Sequence, residues 1–476
     1  MTVTNMNKLM LDMPMWEQLP FAPATGVAGT CMIDDDRENI YVYFQTSATA
    51  SQFWRFDTFA NQWQQLATPP TQTGTIANLE YMNVSGGQFN GRTFGAIYLF
   101  VGNASVCYFY RYDIATNTWS ANLGTTNIPA NFGTDCYLLG LSPRKNNFEG
   151  NYHSGVTRTI TTTGTGALKA TTLAVSALPE TLPVGARLRF GVFNITLTTP
   201  ALKGATSLSV SALPNGLADG TVLSLQTGID IIVKGDTNAG ATTLNVYPIQ
   251  QGLANGTIIE VHKYVVLTAQ ANSGATSITV APLLYTIGSG DFSYYYGNMY
   301  LVGNNATVMY RFNLGSGTWS TTSANGGNPA FPSITGAVGA GCAIKWMTAY
   351  DPNKLIIVRG NATNNIYRYD LVANTISTLT VQPATETFTT GTSVASRTIG
   401  GKRGKILIQK EATTRIYEFD PIQCNIIPKI TQNAYPVGTA VVGDKSCCLT
   451  SPDGIEYYYN ILHSSTGFLR CAMIDS

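Results

Sequence analysis

Five segments of this chain repeat one hairpin pattern and align without gaps. In each, two aromatic residues flank an arginine or glutamate, an aspartate or asparagine follows, and a large apolar residue stands nine positions after the first aromatic. The segments are Trp54–Trp63, Tyr110–Trp119, Tyr310–Trp319, Tyr367–Ile376 and Tyr417–Ile426. Two short runs of this kind, joined by a turn that holds Asn or Gly, indicate a β-hairpin because these residues accept the positive φ of tight turns.

The spacing of the hairpins predicts a ring of blades. An apolar strand precedes each hairpin, and stretches of small residues such as 26–31 and 336–343 precede some of those strands, so each unit has four strands. The first aromatics of successive units are separated by 56, 200, 57 and 50 residues. Four-stranded units that recur every ~40–55 residues are typical of β-propeller blades.

A sixth unit begins at Leu469, and the chain ends before its last strand. The N-terminal sequence Trp16-Glu17-Gln18-Leu19 matches 63–66, which is the last strand of the first hairpin. We therefore expect the N-terminal segment to pair beside 469–473 and close a six-bladed ring, which removes the exposed strand edges that promote aggregation.

A second periodicity fills the long interval. The motif Ala-Thr-Thr/Ser-Leu/Ile starts at Ala170, Ala205, Ala241 and Ala275, at spacings of 35, 36 and 34 residues. Short Thr- and Val-rich strands between Gly and Pro predict a small β-rich unit inserted into a loop of the third blade, where an insertion costs little entropy.

The hairpin pattern resembles the kelch family of propellers over about residues 15–150 and 290–476. The fold class expected is all-β, a six-bladed kelch-like β-propeller with an inserted small β-repeat domain. Its parts would be an N-terminal arm (1–14), a first group of blades with the ring-closing strand (15–149), the inserted domain (150–292) and a second group of blades (293–476).

Little in the sequence points to catalysis. The chain has three histidines, a charged fraction of 12% and a net charge of +1, and no nucleophile elbow, Asp-box, phosphate-binding loop or C-x-x-C pair. Asp34-Asp35-Asp36 could offer oxygens to Ca²⁺, although consecutive acids in a turn are more often solvated. The recurrent arginines and aspartates of the hairpins are explained by contacts between neighbouring strands and turns, and the Asn-x-Ser/Thr triplets, such as that at Asn305, by frequency. We therefore expect no enzyme activity, no cofactor, and no catalytic, cofactor-binding or metal-binding residue.

The inserted repeat, Gly-Ala-Thr-Ser-Leu-x-Val, resembles β modules of tailed-bacteriophage virion proteins. This resemblance implies a structural virion protein of the tail, neck or surface decoration, assembled in the host bacterial cytoplasm, whose partners are other virion proteins and copies of itself. A glycan-binding adhesion protein is the first alternative, and a secreted oxidase or glycosidase is the second. The near-neutral charge and the absence of a signal sequence or a long apolar run argue against nucleic acid, membrane insertion and export.

Overall fold

The computed structural model describes residues 16–140, 157–295 and 298–473, with internal gaps. The gaps are 26–28, 36–37, 48, 73, 75, 83–87, 90–91, 94–95, 104, 115, 124–127, 130–131, 133–134, 179–181, 183–186, 220, 226–229, 250–251, 270, 273, 285–286, 288–289, 314–316, 324–329, 348–353, 372, 382–386, 391, 398–404, 411–412, 430–434, 437–444, 451–454 and 464. The N-terminal arm expected at 1–14 lies outside the described residues. Among the residues that are described, every regular element is a β-strand, and no helix could span a membrane.

Six four-stranded antiparallel sheets form the blades. The N-terminal strand is β1 (Trp16–Gln18). The first blade contains β2 (Cys31–Asp34), β3 (Asn39–Gln45), β4 (Ser51–Asp57) and β5 (Gln62–Gln65). The second blade contains β6 (Ile76–Met82), β9 (Ala96–Gly102), β10 (Cys107–Asp113) and β11 (Thr118–Trp119), and a short pair, β7 (Gln88–Phe89) and β8 (Arg92–Thr93), lies between β6 and β9 in the sequence. The third blade starts with β12 (Cys136–Gly140).

Ten strands follow before the third blade resumes. They are β13 (Thr157–Thr162), β14 (Thr172–Ala174), β15 (Arg187–Thr196), β16 (Ser207–Ser209), β17 (Val222–Leu225), β18 (Asp230–Ile232), β19 (Thr243–Asn245), β20 (Ile258–Val266), β21 (Ser277–Thr279) and β22 (Gly290–Tyr295). The remaining blade strands are β23 (Asn298–Gly303), β24 (Tyr310–Asn313) and β25 (Thr318–Ser320), then β26 (Ala343–Trp346), β27 (Lys354–Val358), β28 (Ile366–Asp370) and β29 (Thr375–Leu379), then β30 (Ser393–Ser396), β31 (Ile406–Gln409), β32 (Ile416–Asp420) and β33 (Asn425–Lys429), then β34 (Lys445–Thr450), β35 (Glu456–Ile461) and β36 (Phe468–Ala472).

The sixth blade is closed by the N-terminal strand, in the order β34-β35-β36-β1. Trp16 pairs with Cys471 and Glu17 with Arg470, and Arg470 Nε donates to Glu17 Oε2 at 2.7 Å. The Trp16 ring packs edge-on against Tyr435, with 4.9 Å between the ring centroids. The predicted ring closure and the six-bladed propeller are confirmed.

Six apolar clusters fill the six seams between neighbouring blades. The second strand of each blade contributes side chains to the seams on both sides of the blade, because successive side chains point to opposite faces of the sheet. In β3, Tyr41 and Tyr43 face the second blade, while Ile40 and Val42 face the sixth. This double burial explains why these strands read as continuous apolar runs.

The hairpin turns contain the positive φ angle that the Asn and Gly of the repeat predict. The fourth residue of each turn has positive φ, with values of 56° at Asn61, 53° at Asn117, 66° at Gly317, 52° at Asn374 and 54° at Cys424. The aspartate before the turn accepts hydrogen bonds from it: Asp57 Oδ1 accepts from the backbone N–H groups of Phe59 at 2.9 Å and Ala60 at 2.8 Å. The repeated aspartates therefore stabilise turns, in the manner of Asx-turns.

The four inserted repeats pair in a nested order. Repeat 1 pairs with repeat 4 through β14 and β21, and repeat 2 with repeat 3 through β16 and β19. Two further bridges join repeats 2 and 3, Ala201 with Leu253 and Leu217 with Thr237. Repeats 1 and 4 have the equivalent bridges, Gly166 with Ile287 and Leu182 with Ala271. We name the pair formed by repeats 1 and 4 the near lobe and the pair formed by repeats 2 and 3 the far lobe.

Each lobe has its own apolar cluster, and both clusters draw only on residues of the insert. The long strands β15 and β20 run through both lobes, with Leu188 and Val265 in the near lobe and Ile195 and Ile259 in the far lobe. That the insert is an independent folding domain with boundaries at 150 and 292 stays a prediction.

Candidate functional site

The six first strands surround a small cavity on the propeller axis. The cavity has a volume of about 30 Å³ and is lined from all six blades near the start of these strands. Its lining residues are Cys31, Met32, Asn78, Leu79, Asp135, Cys136, Tyr137, Gly341, Cys342, Thr392, Ser393, Lys445 and Ser446. We call this space the axial cavity.

Tyr137 lies across the axis beside this cavity. Its hydroxyl group donates to the backbone carbonyl of Val394, two blades away, at 3.0 Å. The Lys345 amine lies 4.6 Å from the centroid of the Tyr137 ring, a cation–π contact from the blade between them. Because Tyr137 bridges nonadjacent blades, it narrows the passage along the axis and leaves a cavity on one side.

Loops with closely approaching backbones form one side of the cavity rim. Gly341 has a φ of 77°, and a Cβ there would lie 2.0 Å from the Thr389 carbonyl oxygen. Asn361 Oδ1 accepts from the Ala340 N–H at 3.0 Å, and Asn361 Nδ2 donates to the Ala337 carbonyl at 3.0 Å. These contacts fix the loop before β26 against the loop between β27 and β28.

The sequence reading missed the role of three Asn-x-Ser/Thr triplets. Asn103, Asn305 and Asn361 lie in the loops between the second and third strands of three consecutive blades. Asn103 Oδ1 accepts from the Ser105 and Val106 N–H groups, and Asn305 and Asn361 have φ values of 53° and 52°. The recurrence at the same loop was the signal, and these asparagines shape turns.

The thiols of the axial cavity are protonated. Burial raises the pKa values of Cys31, Cys136 and Cys342 and outweighs the opposing field of the nearby Lys445 ammonium. Such thiols are poor nucleophiles, because the thiolate is the reactive form. All eight cysteines are free, and seven of them are buried.

A second polar centre lies in the seam between the fifth and sixth blades, and we call it the ionic cluster. Its described members are Arg397, Lys405, Glu418, Asp420, Lys429 and Glu456. Arg397 Nε donates to Glu456 Oε2 at 2.6 Å, and its Nη1 pairs with Glu418. Lys405 Nζ lies 3.1 Å from both Glu418 Oε1 and Asp420 Oδ2.

The charges of the ionic cluster hold its carboxyl groups ionised. Burial by itself raises the pKa of Glu418, but the charges of Arg397 and Lys429 and the hydrogen bonds from Lys405 outweigh it and keep that pKa below its usual range. The pKa of Asp420 is lowered in the same way, by backbone N–H donors and Lys405 acting against burial. Among the residues that the structure describes, three cations thus balance three carboxylates, as in a structural network.

The residues weighed from the sequence are spread over the molecule. Asp35 accepts at Oδ1 from the N–H of Glu38 and at Oδ2 from the side-chain amide of Asn39, which makes it a turn residue. Asp36 lies outside the described residues. Arg55 donates to Gln64 on the neighbouring strand, as expected of a structural arginine.

The histidines are also separated in the fold. His262 lies on β20 of the insert and His463 in a loop of the sixth blade, while His153 lies outside the described residues. Within the described part of the chain, no group of three or more His, Cys, Asp or Glu side chains is placed to hold a metal ion.

Comparison with known proteins returns structural likeness only. No family model matches the chain, and no curated protein matches it. Among solved structures, a chain of a mitotic checkpoint complex shares 11% identity, with a TM-score of 0.38 and coverage of 98% of this chain and 93% of that one. An α-L-arabinofuranosidase from Fusarium graminearum shares 7% identity, with a TM-score of 0.41 and coverage of 96% of both chains.

These neighbours require a correction. The expectation that the chain has no enzyme activity was wrong as an exclusion. The solved structures that share its fold include arabinofuranosidases, one of them determined with arabinobiose, at 7% identity and a TM-score of 0.40. The reason is physical: a ring can bring together carboxylates from any sequence spacing, so the lack of a sequence motif excludes nothing. At this identity the likeness shows the fold alone.

Proposed function

We propose that this protein is a structural component of a tailed-bacteriophage particle, in the tail, neck or surface decoration. It would act through contacts with other virion proteins and with copies of itself, and it would be assembled in the cytoplasm of the host bacterium. The observation that carries the proposal is the exposure of large apolar side chains in one part of the insert.

The far lobe presents apolar residues to solvent. Leu202 is 82% exposed, and Tyr247 and Ile258 are also exposed. Among the near-lobe side chains whose exposure the structure describes, none is a large apolar side chain that is exposed. Exposed apolar groups that the fold does not require support a role in contacts with another protein.

The two lobes are tied together. Lys169 of the near lobe forms an ion pair with Asp236 of the far lobe, and the Ala218 N–H donates to the Leu284 carbonyl at 2.8 Å. With β15 and β20 continuous through both lobes, the far lobe is held at a fixed position relative to the ends of the insert. Such preorganisation favours association because less freedom is lost on binding.

Proteomics of purified particles with absolute quantification tests the proposal. The chain should be present at a constant copy number per particle. A variant with Leu202→Ser, Tyr247→Ser and Ile258→Thr should be incorporated at least about tenfold less, which corresponds to ~1.4 kcal/mol of contact energy.

The matched control changes exposed residues of the near lobe, Thr172→Ala and Thr279→Ala, and should be incorporated as the unaltered chain is. Absence of the chain from purified particles would refute the assignment to a virion. Equal incorporation of both variants would refute the role of the far lobe.

A further inference from the structure

We infer that the axial cavity binds a carboxylate, or an anion of similar size, through the Lys445 amine and the Ser393 hydroxyl group. This site is independent of the far lobe and of the assembly proposed above. The inference starts from the position of Lys445, the first residue of β34, whose side chain lines the cavity.

The Lys445 amine has no counter-ion in the described part of the chain. Two other partly buried lysines of the ring have one: Lys354 pairs with Asp370, and Lys405 lies 3.1 Å from Asp420. Lys345 instead places its amine 4.6 Å from the centroid of the Tyr137 ring. No described carboxylate lies within 4.0 Å of Lys445 Nζ, and no described residue accepts a hydrogen bond from it. A partly desolvated ammonium group without an acceptor is costly, and an anion in the cavity would remove that cost.

Asp135 is the one carboxylate among the residues that line the cavity, and it forms no ion pair with Lys445 within 4.0 Å. Its Oδ2 accepts from the Gly341 N–H at 2.9 Å, so the rim loop holds it. Its charge offsets that of Lys445 at longer range without supplying a contact within 4.0 Å. The Lys445 amine therefore has no contact acceptor in the described part of the chain.

A chain of hydroxyl groups supplies a second donor. The Tyr458 hydroxyl lies 2.6 Å from Ser446 Oγ, closer than to its other acceptor, Gln409 Oε1, at 3.3 Å, and Ser446 Oγ lies 2.6 Å from Ser393 Oγ. In the arrangement in which Tyr458 donates to Ser446 and Ser446 donates to Ser393, the Ser393 proton is left for another acceptor. Ser393 lines the cavity, so this proton is available to a ligand there.

The size of the cavity limits the ligand. About 30 Å³ holds roughly two water-sized groups, at ~10–15 Å³ each. This is enough for the head of a carboxylate or for a halide ion, and too little for a sugar ring or a phosphate group. The carboxylate could belong to a free small acid or to the C-terminus of a protein partner.

Bromide anomalous scattering tests the site in the unaltered protein. Crystals soaked in bromide should show an anomalous peak within about 3.5 Å of Lys445 Nζ. In solution, formate at constant ionic strength should raise the thermal unfolding midpoint of the full chain in a saturable manner. The absence of both the peak and the shift would overturn the inference.

Variants separate specific binding from general salt effects. Lys445→Met should abolish the response to formate, and Ser393→Ala should weaken formate binding about tenfold or more, as expected for one hydrogen bond to a charged group. The control, Lys203→Met, makes the same charge change on an exposed residue of the insert and should keep the full response. An equal response in Lys445→Met and Lys203→Met would overturn the inference.

The source of the carboxylate follows from a second titration. A short N-acetylated peptide with a free C-terminus that binds more tightly than formate would identify a protein C-terminus as the ligand. Tighter binding of formate would identify a free small acid. Either result supports the site, and no saturable binding of either probe overturns it.

Discussion

Replacing Arg397 by methionine removes the guanidinium group that joins the fifth and sixth blades. Arg397 and Glu456 are completely buried, and the guanidinium contacts Glu456 at 2.6 Å and also Glu418. Removing one member of a buried ion pair typically costs about 3–5 kcal/mol, because the remaining charge stays desolvated. We expect Arg397→Met to lower the free energy of unfolding by that amount at pH 7.

The loss should depend on pH in a defined direction. In the unaltered protein the pKa values of Glu418 and Asp420 lie below their usual range, so these carboxylates stabilise the fold above the unfolded-state pKa, and this contribution is lost as the pH falls through the folded-state pKa. In Arg397→Met, Glu418 loses a neighbouring cation, and its folded-state pKa should rise. Protonation then relieves the buried charge, and the deficit should shrink between pH 7 and about pH 4.5.

Equilibrium unfolding in urea, followed by tryptophan fluorescence at pH 7 and pH 5, measures both effects. Adding Glu456→Gln to Arg397→Met should recover part of the loss, because the neutral amide costs less to bury than a carboxylate. Arg415→Met, at an exposed arginine of the same blade, is the control and should change stability by less than about 0.5 kcal/mol. A loss below about 1 kcal/mol, or a loss that grows as the pH falls, would refute the reasoning.

Two further predictions concern the insert and a strained turn. Gly140 pairs directly with Met299, so a short Gly/Ser loop can replace residues 141–297. The product should be a soluble propeller that unfolds in one cooperative transition in calorimetry. An unfolded product would show that the insert is part of the core. Ala362 has a φ of 56°, which Asn tolerates better than Ala, so Ala362→Asn should raise the free energy of unfolding by about 0.5–1 kcal/mol, whereas Ala60→Asn in another exposed turn should not; a destabilised Ala362→Asn variant would contradict this prediction.

The parts of the fold that sequence predicted are those with local causes. Asn61 and Asn117 mark turns because a positive φ depends on the residue itself, and the match of 16–19 to 63–66 revealed the ring-closing strand because both stretches do the same structural task. The fifth hairpin is different, because Cys424 has the positive φ although cysteine does not favour that conformation. In that case the register of the repeat was more informative than the residue.

The axial cavity could not be predicted, because its residues share no motif. Ser393, Lys445 and Asp135 come from three blades and meet only when the ring closes. The ionic cluster gave a partial signal, since Glu418 replaces the arginine found in the other four hairpins. Its partner Arg397 follows a different strand, and nothing in the spacing connects the two residues.

The nested pairing of the inserted repeats explains how so long an insertion fits within one blade. Pairing repeat 1 with repeat 4 brings the two ends of the insert together, and Thr157 lies opposite Tyr295 in the β13–β22 ladder. Pairing repeat 1 with repeat 2 and repeat 3 with repeat 4 would not hold the two ends of the insert next to each other. Because they meet, β12 and β23 keep the register of an ordinary blade hairpin, with Gly140 opposite Met299. The same order places repeats 2 and 3 at the opposite end of β15 and β20 from the ends of the insert, and that is where Leu202 is exposed. A contact made there can therefore change without altering the propeller seams.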